Sequence, residues 1–326
     1  METRTLGKTG LKVSALGFGC GMVGGLMVGG ASADQERAVA RALELGINYF
    51  DTAPLYGSGE SEKNLGKVLA ALQPDALVGT KVRIPPIELG RIGEAVTTSL
   101  EASLRRLGRE QVDLLQLHNH ISRAANADAV DPKSVSEEVV PALQRLQRQG
   151  KIRFFGITAV GNTDALHQVV GAGVIGTAQV VYNLLNPSAG GKLAPDFPAH
   201  DFGNILERTK QAGVGVICIR VLAGGALSGT EVRHPLGSST VQPIASGADY
   251  HTDVERARRL EPLVREGYVD SLIEASLRFA IANDAVGTVL IGYSTLEQLE
   301  YAATSINKGP LSAAALSRLA ELQASL

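Results

Sequence analysis

Four side chains with complementary acid–base chemistry lie at or just after the ends of short apolar stretches: the acid Asp51, the phenol Tyr56, the amine Lys81 and the imidazole His118. A free phenol has a pKa of about 10, and a neighbouring ammonium lowers that value by favouring the phenolate. We expect Lys81 to act on Tyr56 in this way, and Asp51 to hold the amine by an ion pair.

These four groups together suit proton transfer to and from an oxygen atom. His118 could orient a carbonyl oxygen by a hydrogen bond while Tyr56 protonates the alkoxide as it forms, or deprotonates an alcohol in the opposite direction. The set lacks a source of hydride, which no side chain provides and a nicotinamide cofactor would supply. Singly, each residue could be part of a salt bridge or a strand-end cap, but four together favour a site.

The elements that must position these residues are eight short, almost continuously apolar runs. Their length and composition are typical of strands buried on both faces. Asp51, Lys81 and His118 end the second, third and fourth runs. The predicted strands are Val13–Gly19, Gly46–Asp51, Ala76–Lys81, Val112–His118, Ile152–Thr158, Thr177–Tyr182, Gly215–Arg220 and Thr288–Gly292.

Amphipathic stretches alternate with the strands and predict helices. Ser32 followed by Gln35 has the spacing of a capping box at the first helix start. The predicted helices are Ser32–Leu45, Ser58–Leu72, Ile92–Leu107, Ser136–Gln149, Thr163–Val170, Phe202–Ala212, Val254–Glu266, Val269–Asn283 and Leu296–Ala303, with a last helix at Ser312–Gln323.

This alternation predicts an α/β fold: a (β/α)8 TIM barrel, formed as one domain by residues 1–326. An N-terminal β-hairpin (Thr3–Thr5 with Leu11–Val13) and a C-terminal extra helix flank the barrel. The carboxyl ends of barrel strands meet at one mouth, where catalytic groups of such folds gather. Two long loops, Asn119–Val135 and Leu222–Thr252, follow strands four and seven and are candidates for substrate contacts or a lid.

Composition excludes several classes of partner. The 31 basic and 33 acidic residues give a net charge of −2, without the basic excess of a nucleic-acid or anionic-lipid binder. Two cysteines do not make a disulfide framework, and we expect buried thiols in a reducing cytoplasm. We expect no signal peptide at the polar start, and the apolar segment Val13–Ala31, with seven glycines, is too short and too glycine-rich for a membrane helix. A small molecule is the expected partner.

The stretch Gly46–Glu62, which reads Gly-Ile-Asn-Tyr-Phe-Asp-Thr-Ala-Pro-Leu-Tyr-Gly-Ser-Gly-Glu-Ser-Glu, resembles the signature of the aldo-keto reductase family. Later motifs are similar to those of the same family: Val78–Lys81, Asp113–His118, Gly150–Ile157 and Gln179–Leu185. The resemblance covers nearly the whole chain. It implies that Asp51, Tyr56, Lys81 and His118 form the catalytic tetrad of an NAD(P)(H)-dependent enzyme, with Tyr56 as the general acid/base.

The resemblance also implies that the cofactor lies extended across the barrel mouth. The cofactor-binding positions would be Thr158, Gln179, Arg220, Leu222, Gly224, Gly292, Ser294 and Gln298, and His120 and Met22 would lie at the substrate. Two departures stand out. Ile219 replaces the tyrosine that commonly stacks on nicotinamide, and Gly292–Gln298 lacks the basic residue that usually meets a 2′-phosphate. Because phosphate recognition wants a charged donor, NAD(H) is favoured over NADP(H), unless Arg220 or another distant basic residue supplies that charge.

Alternatives remain open at this point. Within the family, the chain could be an NAD-dependent sugar (lactol) or pyridoxal-like dehydrogenase. His118 and His120 could be a metal pair of a barrel hydrolase, although Lys81 would repel a cation and we expect no metal. A non-catalytic, cofactor-binding regulatory subunit is a third possibility. The Gly-x-Gly-x-x-Gly at Gly19–Gly24 is not followed directly by a helix, so a Rossmann site is disfavoured.

Overall fold

The N-terminal hairpin closes the bottom of the molecule in the computed structural model, which describes residues 1–123, 129–191, 193 and 197–324. Strands Thr3–Thr5 and Lys12–Ser14 pair antiparallel, with Thr3 opposite Ser14. Leu6 in the turn is fully buried and packs with apolar side chains from the lower barrel interior. The predicted hairpin is therefore present.

Eight parallel strands form a closed barrel, as predicted, and each strand pairs with the next along the chain until the eighth pairs with the first. The run Val13–Gly19 was expected to be one strand, but it divides at Ala15 between the hairpin and the barrel. The barrel strands are β1 (Leu16–Gly19), β2 (Tyr49–Asp51), β3 (Leu77–Val82), β4 (Val112–Leu117), β5 (Ile152–Ala159), β6 (Thr177–Val181), β7 (Gly215–Ile219) and β8 (Val286–Gly292).

One main helix follows each strand and packs its apolar face on the barrel. These helices are α1 (Ser32–Glu44), α2 (Glu60–Leu72), α3 (Ile92–Leu107), α4 (Val140–Arg148), α5 (Thr163–Gly171), α6 (Ile205–Gln211), α7 (Leu272–Ala282) and α8 (Leu296–Asn307). The predicted extra helix, Ala313–Gln323, is present, and Ser312 caps it by accepting a hydrogen bond from the Ala315 amide.

Some predicted helix boundaries are wrong for local reasons. Ala31, not Ser32, precedes α1, and Gln35 donates to loop carbonyls instead of closing a capping box. A π-helical turn, Val135–Val139, precedes α4, where Pro141 has no N–H to donate. The expected helix Val254–Glu266 is two helices, Tyr250–Arg258 and Pro262–Arg265, separated just before a proline.

The two long loops contain short elements of their own. In the loop after β4, His120–Ile121 pairs with Ala129–Val130, and residues 124–128 of this predicted loop lie outside the described part. The loop after β7 begins with a 3-10 segment, Ala223–Ser228. Both cysteines are free and buried, as expected. Within the described residues, no helix is long and apolar enough to cross a membrane.

Candidate active site

The barrel brings the four predicted acid–base residues together at one mouth. Asp51 is the last residue of β2 and Lys81 the penultimate residue of β3, while His118 directly follows β4. Tyr56 begins a 3-10 turn, Tyr56–Gly59, in the loop after β2. Because β2, β3 and β4 are adjacent parallel strands, their carboxyl ends lie side by side.

Asp51 and Lys81 form a buried ion pair, and each side chain is only 2% exposed. The Lys81 Nζ also donates to the Thr52 carbonyl at 2.9 Å. Burial alone would lower the pKa of Lys81, but the negative charge of Asp51 outweighs it, with help from Tyr56, and raises that pKa above its ordinary value. The amine is therefore charged despite its burial.

Two further side chains fix the Asp51 carboxylate. The Tyr49 hydroxyl and the Gln179 amide donate to its Oδ2 at 2.9 and 2.8 Å. Tyr49 was not anticipated as a site residue. The sequence feature that could have indicated Tyr49 is its spacing of two residues from Asp51, since residues i and i+2 of a strand face the same side. The carboxylate is thus held from three directions by Lys81, Tyr49 and Gln179.

Tyr56 lies between the buried ion pair and His118. The Lys81 Nζ is 4.8 Å from the centroid of the Tyr56 ring. The Tyr56 and His118 rings meet edge to face, with centroids 6.3 Å apart. A Cβ added at Gly21 would lie 3.4 Å from the phenol ring, an ordinary contact distance, so the loop after β1 packs directly against Tyr56. The phenol therefore sits in a fixed position against the ammonium.

His118 is held in its neutral form. Burial lowers the pKa of His118 to about 3, and the charges of Lys81 and Arg83 add to this effect. Among the described residues, its buried Nδ1 has no hydrogen-bond partner. A neutral imidazole that faces the Tyr56 ring can offer one N–H to an oxygen atom without adding charge to the site.

A cavity of about 780 Å³ opens above these groups. Asp51, Tyr56 and His118 form its inner end, and Lys81 lies beneath the wall. Met22 and all eight positions that the resemblance assigned to the cofactor line it: Thr158, Gln179, Arg220, Leu222, Gly224, Gly292, Ser294 and Gln298. His120, predicted at the substrate, is exposed and not part of this wall, because its neighbour Ile121 points inward and alternation turns His120 outward.

A segment of the loop after β7, residues 230–249, crosses the cavity and is called the strap here. Its Ser238 donates from both N and Oγ to the Met22 carbonyl, at 2.9 and 3.0 Å. Arg233 donates to the carbonyls of Gly224 and Val23 at 2.9 and 3.3 Å and stacks on Tyr250. The strap thereby joins the loops after β1 and β7 into a roof. Sequence reasoning anticipated a lid in this loop but missed Arg233.

The far end of the cavity has a different character. Ser294 donates from its Oγ to the Gly24 carbonyl, and its amide donates to the Gln298 side chain at 2.8 Å. Glu297 also lines this end, and hydrogen bonds from its own backbone N–H and from Thr295 lower its pKa, so it is charged. The two arginines of the described wall, Arg220 and Arg233, belong to the segment after β7, and Arg37, outside that wall, also lowers the pKa of Glu297 by its charge.

These residues fit an extended dinucleotide. A cavity of this size is in the range of ligand sites. Near Tyr56, the Thr158 hydroxyl and the Gln179 amide offer the polar groups that a carboxamide needs, and they contact each other at 3.1 Å. Two guanidinium groups, those of Arg220 and Arg233, line the cavity, which suits a diphosphate.

A group of side chains that could bind a metal ion lies outside the barrel mouth. In the described part of the chain, the one side-chain group with ligand atoms close enough to share an ion is Glu231, His251 and Glu255, all exposed. It includes neither His118 nor His120. His118 and His120, considered above only as an alternative metal pair, therefore have no third ligand around them among the residues described.

A closed parallel barrel holds an ion-paired lysine, a tyrosine and a neutral histidine at its mouth, beneath a long roofed cavity, and comparison with known proteins places this arrangement among barrel oxidoreductases. The model of the Aldo/keto reductase family matches residues 15–324, and this chain belongs to that family of oxidoreductases, which generally use NAD(P)H.

Individual relatives agree with this assignment. L-galactose dehydrogenase of Arabidopsis thaliana is 33% identical over 92% of this chain and 86% of its own length. Pyridoxal 4-dehydrogenase of Microbacterium luteolum is 26% identical over 91% of each chain. Among solved structures, the holo form of an aldo-keto reductase from Bacillus halodurans superposes with a TM-score of 0.72 and 26% identity, over 99% of this chain and 96% of the other.

Proposed function

We propose that this protein is an NAD(P)(H)-dependent oxidoreductase that interconverts an aldehyde or ketone and an alcohol, with Tyr56 as the general acid/base. One observation carries the proposal. The charged Lys81 lies between the Asp51 carboxylate and the Tyr56 ring, and the neutral His118 faces the same phenol at the inner end of the cavity.

Each residue has a defined part in the proposed reaction. When bound, the nicotinamide supplies the hydride for reduction or accepts it in oxidation. In reduction, the Tyr56 hydroxyl gives its proton to the carbonyl oxygen as negative charge develops there, and Lys81 stabilises the phenolate that remains. His118 donates a hydrogen bond to the same oxygen. Oxidation runs the same steps in reverse, with the phenolate accepting the alcohol proton.

For the cofactor, we propose NAD. Glu297 puts a carboxylate at the far end of the cavity, where the resemblance places the adenosine. A carboxylate can accept hydrogen bonds from the free ribose hydroxyls of NAD, whereas it would repel the 2′-phosphate of NADP. The eight residues predicted for the cofactor all line the cavity, which supports an extended dinucleotide at this position.

The decisive test is Tyr56→Phe. We expect turnover to fall by about 10²- to 10⁴-fold, the usual contribution of a positioned general acid/base. Cofactor affinity, measured by calorimetry, should change little because the ring stays. Tyr268→Phe, outside the cavity wall, is the matched control and should keep full turnover. A Tyr56→Phe enzyme that retains more than about a tenth of its activity would exclude Tyr56 from this role.

A second candidate within the same chemistry is an NAD-dependent sugar (lactol) or pyridoxal-type dehydrogenase working in the oxidative direction. Two relatives favour it, since one is named an L-galactose dehydrogenase and the other a pyridoxal 4-dehydrogenase. Nicotinamide absorbance with L-galactose, other aldoses and pyridoxal, each with NAD and NADP, separates the candidates. Faster carbonyl reduction with NADPH than any oxidation with NAD would reject it.

A non-catalytic regulatory subunit remains the alternative from another class. It predicts cofactor binding with no turnover of any aldehyde, ketone, sugar or alcohol. Hydride transfer to even one such compound, lost in Tyr56→Phe, would reject that alternative.

A further inference from the structure

The loop that carries Tyr56 is closed at its two ends by a pair of buried hydroxyl groups. Thr52 begins this loop directly after β2, and Ser61 ends it in the first turn of α2. Both side chains are completely buried, and the Oγ1 atom of Thr52 lies 2.8 Å from the Oγ atom of Ser61. Tyr56 therefore lies near the middle of a loop whose ends are hydrogen-bonded to each other.

The hydrogen bonds of this pair have a defined direction. The Ser61 hydroxyl donates to the Cys20 carbonyl at 2.8 Å, and a hydroxyl has only one hydrogen atom to donate. The Thr52 hydroxyl must therefore be the donor in the bond between the two side chains. A chain of hydrogen bonds runs from Thr52 through Ser61 to Cys20, and buried bonds in such a chain strengthen one another.

Each end of this chain lies against a proton-transfer group. The Thr52 carbonyl accepts a hydrogen bond from the Lys81 Nζ at 2.9 Å. At the other end, Cys20 is followed directly by Gly21, which packs against the Tyr56 ring. The two hydroxyl groups thus join the backbone that holds the ammonium to the backbone that covers the phenol.

The backbone between the two hydroxyl groups needs such a restraint. The residues that follow Tyr56 have left-handed φ angles, of +58° at Gly57, +53° at Ser58 and +93° at Gly59. This conformation is uncommon for a residue with a Cβ, such as Ser58. Residues of this kind keep such a conformation only where the surrounding structure holds them, and they are frequent at functional sites. A hydrogen bond between the ends of the loop supplies part of that restraint.

We propose that Thr52 and Ser61 are positioning residues for the proton-transfer step, and that their hydroxyl pair holds the Tyr56 phenol and the Lys81 ammonium in the relative position that the reaction needs. Neither hydroxyl is part of the described cavity wall, so each acts through the groups that it holds and touches neither substrate nor cofactor. The proposal rests on the proposed hydride-transfer function.

The test removes each hydroxyl with the smallest change in shape. Thr52→Val and Ser61→Ala remove the hydroxyl groups, whereas Thr52→Ser keeps the hydroxyl and removes only a methyl group. Thr209→Val and Ser276→Ala are matched controls, because these hydroxyls are equally buried and each donates to a carbonyl of its own helix. Thermal unfolding shows whether each variant is folded.

We expect Thr52→Val and Ser61→Ala to lower kcat by about 10- to 100-fold, because a displacement of the reacting groups by a fraction of an ångström to one ångström is enough for such a loss. KM and cofactor affinity should change little, since neither residue lines the cavity. Thr52→Ser should recover most of the activity, and both controls should keep it. Equal losses in Thr52→Val and Thr209→Val, or a Thr52→Ser enzyme as slow as Thr52→Val, would overturn the proposal.

The Tyr56→Phe background separates positioning from general damage. If the hydroxyl pair acts through the phenol, Ser61→Ala should cause no further loss of single-turnover rate once that phenol is gone. A full additional loss in the double variant would assign Ser61 a merely structural role.

A measurement without turnover distinguishes failure of this proposal from failure of the proposed function. Hydrogen–deuterium exchange reports the local opening of residues 52–61. Exchange in this segment should be about two- to twelvefold faster in Thr52→Val and Ser61→Ala, which corresponds to the loss of one net hydrogen bond. Thr52→Ser and the two controls should exchange like wild type. Faster exchange supports closure of the loop by the hydroxyl pair even if no compound is turned over, whereas unchanged exchange overturns it.

Discussion

Substitutions of the buried ion-pair residues Asp51 and Lys81 should have strongly non-additive effects on the stability of the protein. Both side chains are 2% exposed, so Asp51→Asn leaves an ammonium without its counter-ion, and Lys81→Met leaves a carboxylate in the same position. Removing one partner of a buried pair costs about 3–5 kcal/mol, because the remaining charge stays desolvated. The double variant removes both charges. Its loss in free energy of unfolding should therefore be smaller, by about 2 kcal/mol or more, than the sum of the losses in the two single variants.

Chemical unfolding followed by circular dichroism measures these free energies for the four proteins of the cycle. Lys210 and Asp284 form a matched control pair on the surface, and its Met and Asn variants should change stability little. Turnover should be lost in Lys81→Met and in the double variant, since Tyr56 then faces no ammonium. It should also be lost in Asp51→Asn, because the buried amine loses the carboxylate that keeps it charged and in place. Additive single effects would refute the reasoning, because they would mean that the two charges do not compensate each other.

Two further predictions concern pH and cofactor choice. Because burial holds the pKa of His118 at about 3, kcat/KM should show no step near the ordinary histidine pKa of about 6.5. As the pH falls, the His118 imidazole of the unfolded chain is protonated before that of the folded protein, so the free energy of unfolding should decrease between about pH 6.5 and pH 3. In His118→Gln, this part of the pH dependence of the free energy of unfolding should be missing. An equal pH dependence in wild type and His118→Gln would contradict a neutral ring. Glu297→Arg should raise the NADPH to NADH ratio of kcat/KM at least about tenfold, as a guanidinium binds the 2′-phosphate that the carboxylate repels. Steady-state kinetics check this, and an equal shift in the exposed Glu321→Arg would show a general charge effect instead.

The strands could be predicted because they are buried on both faces, and such runs are apolar throughout. The same property hid the break at Ala15, where the apolar pattern continues while the chain passes from hairpin to barrel. The capping box failed for a non-local reason. Gln35 finds its partners in the carbonyls of Leu26 and Gly30, and the spacing of Ser32 and Gln35 does not encode that contact.

The inner end of the candidate site followed from topology, since residues at adjacent parallel strand ends must meet. The roof did not, because the carbonyls that Arg233 reaches lie on separate segments with no shared sequence pattern. His120 was expected at the substrate, but the buried Ile121 beside it determines which way this short strand faces. Contacts within one strand could be predicted, whereas contacts between loops needed the structure.

The acid–base residues and most of the cavity wall come from opposite arcs of the barrel. Asp51, Tyr56, Lys81 and His118 belong to β2, β3, β4 and the loop after β2, while the strap belongs to the loop after β7 and is anchored on that loop and on the loop after β1. Changes in residues 222–252 can therefore alter the shape and charge of the cavity without moving the proton-transfer groups. Exchanging this loop between relatives should therefore transfer substrate preference, while the four proton-transfer residues keep their positions.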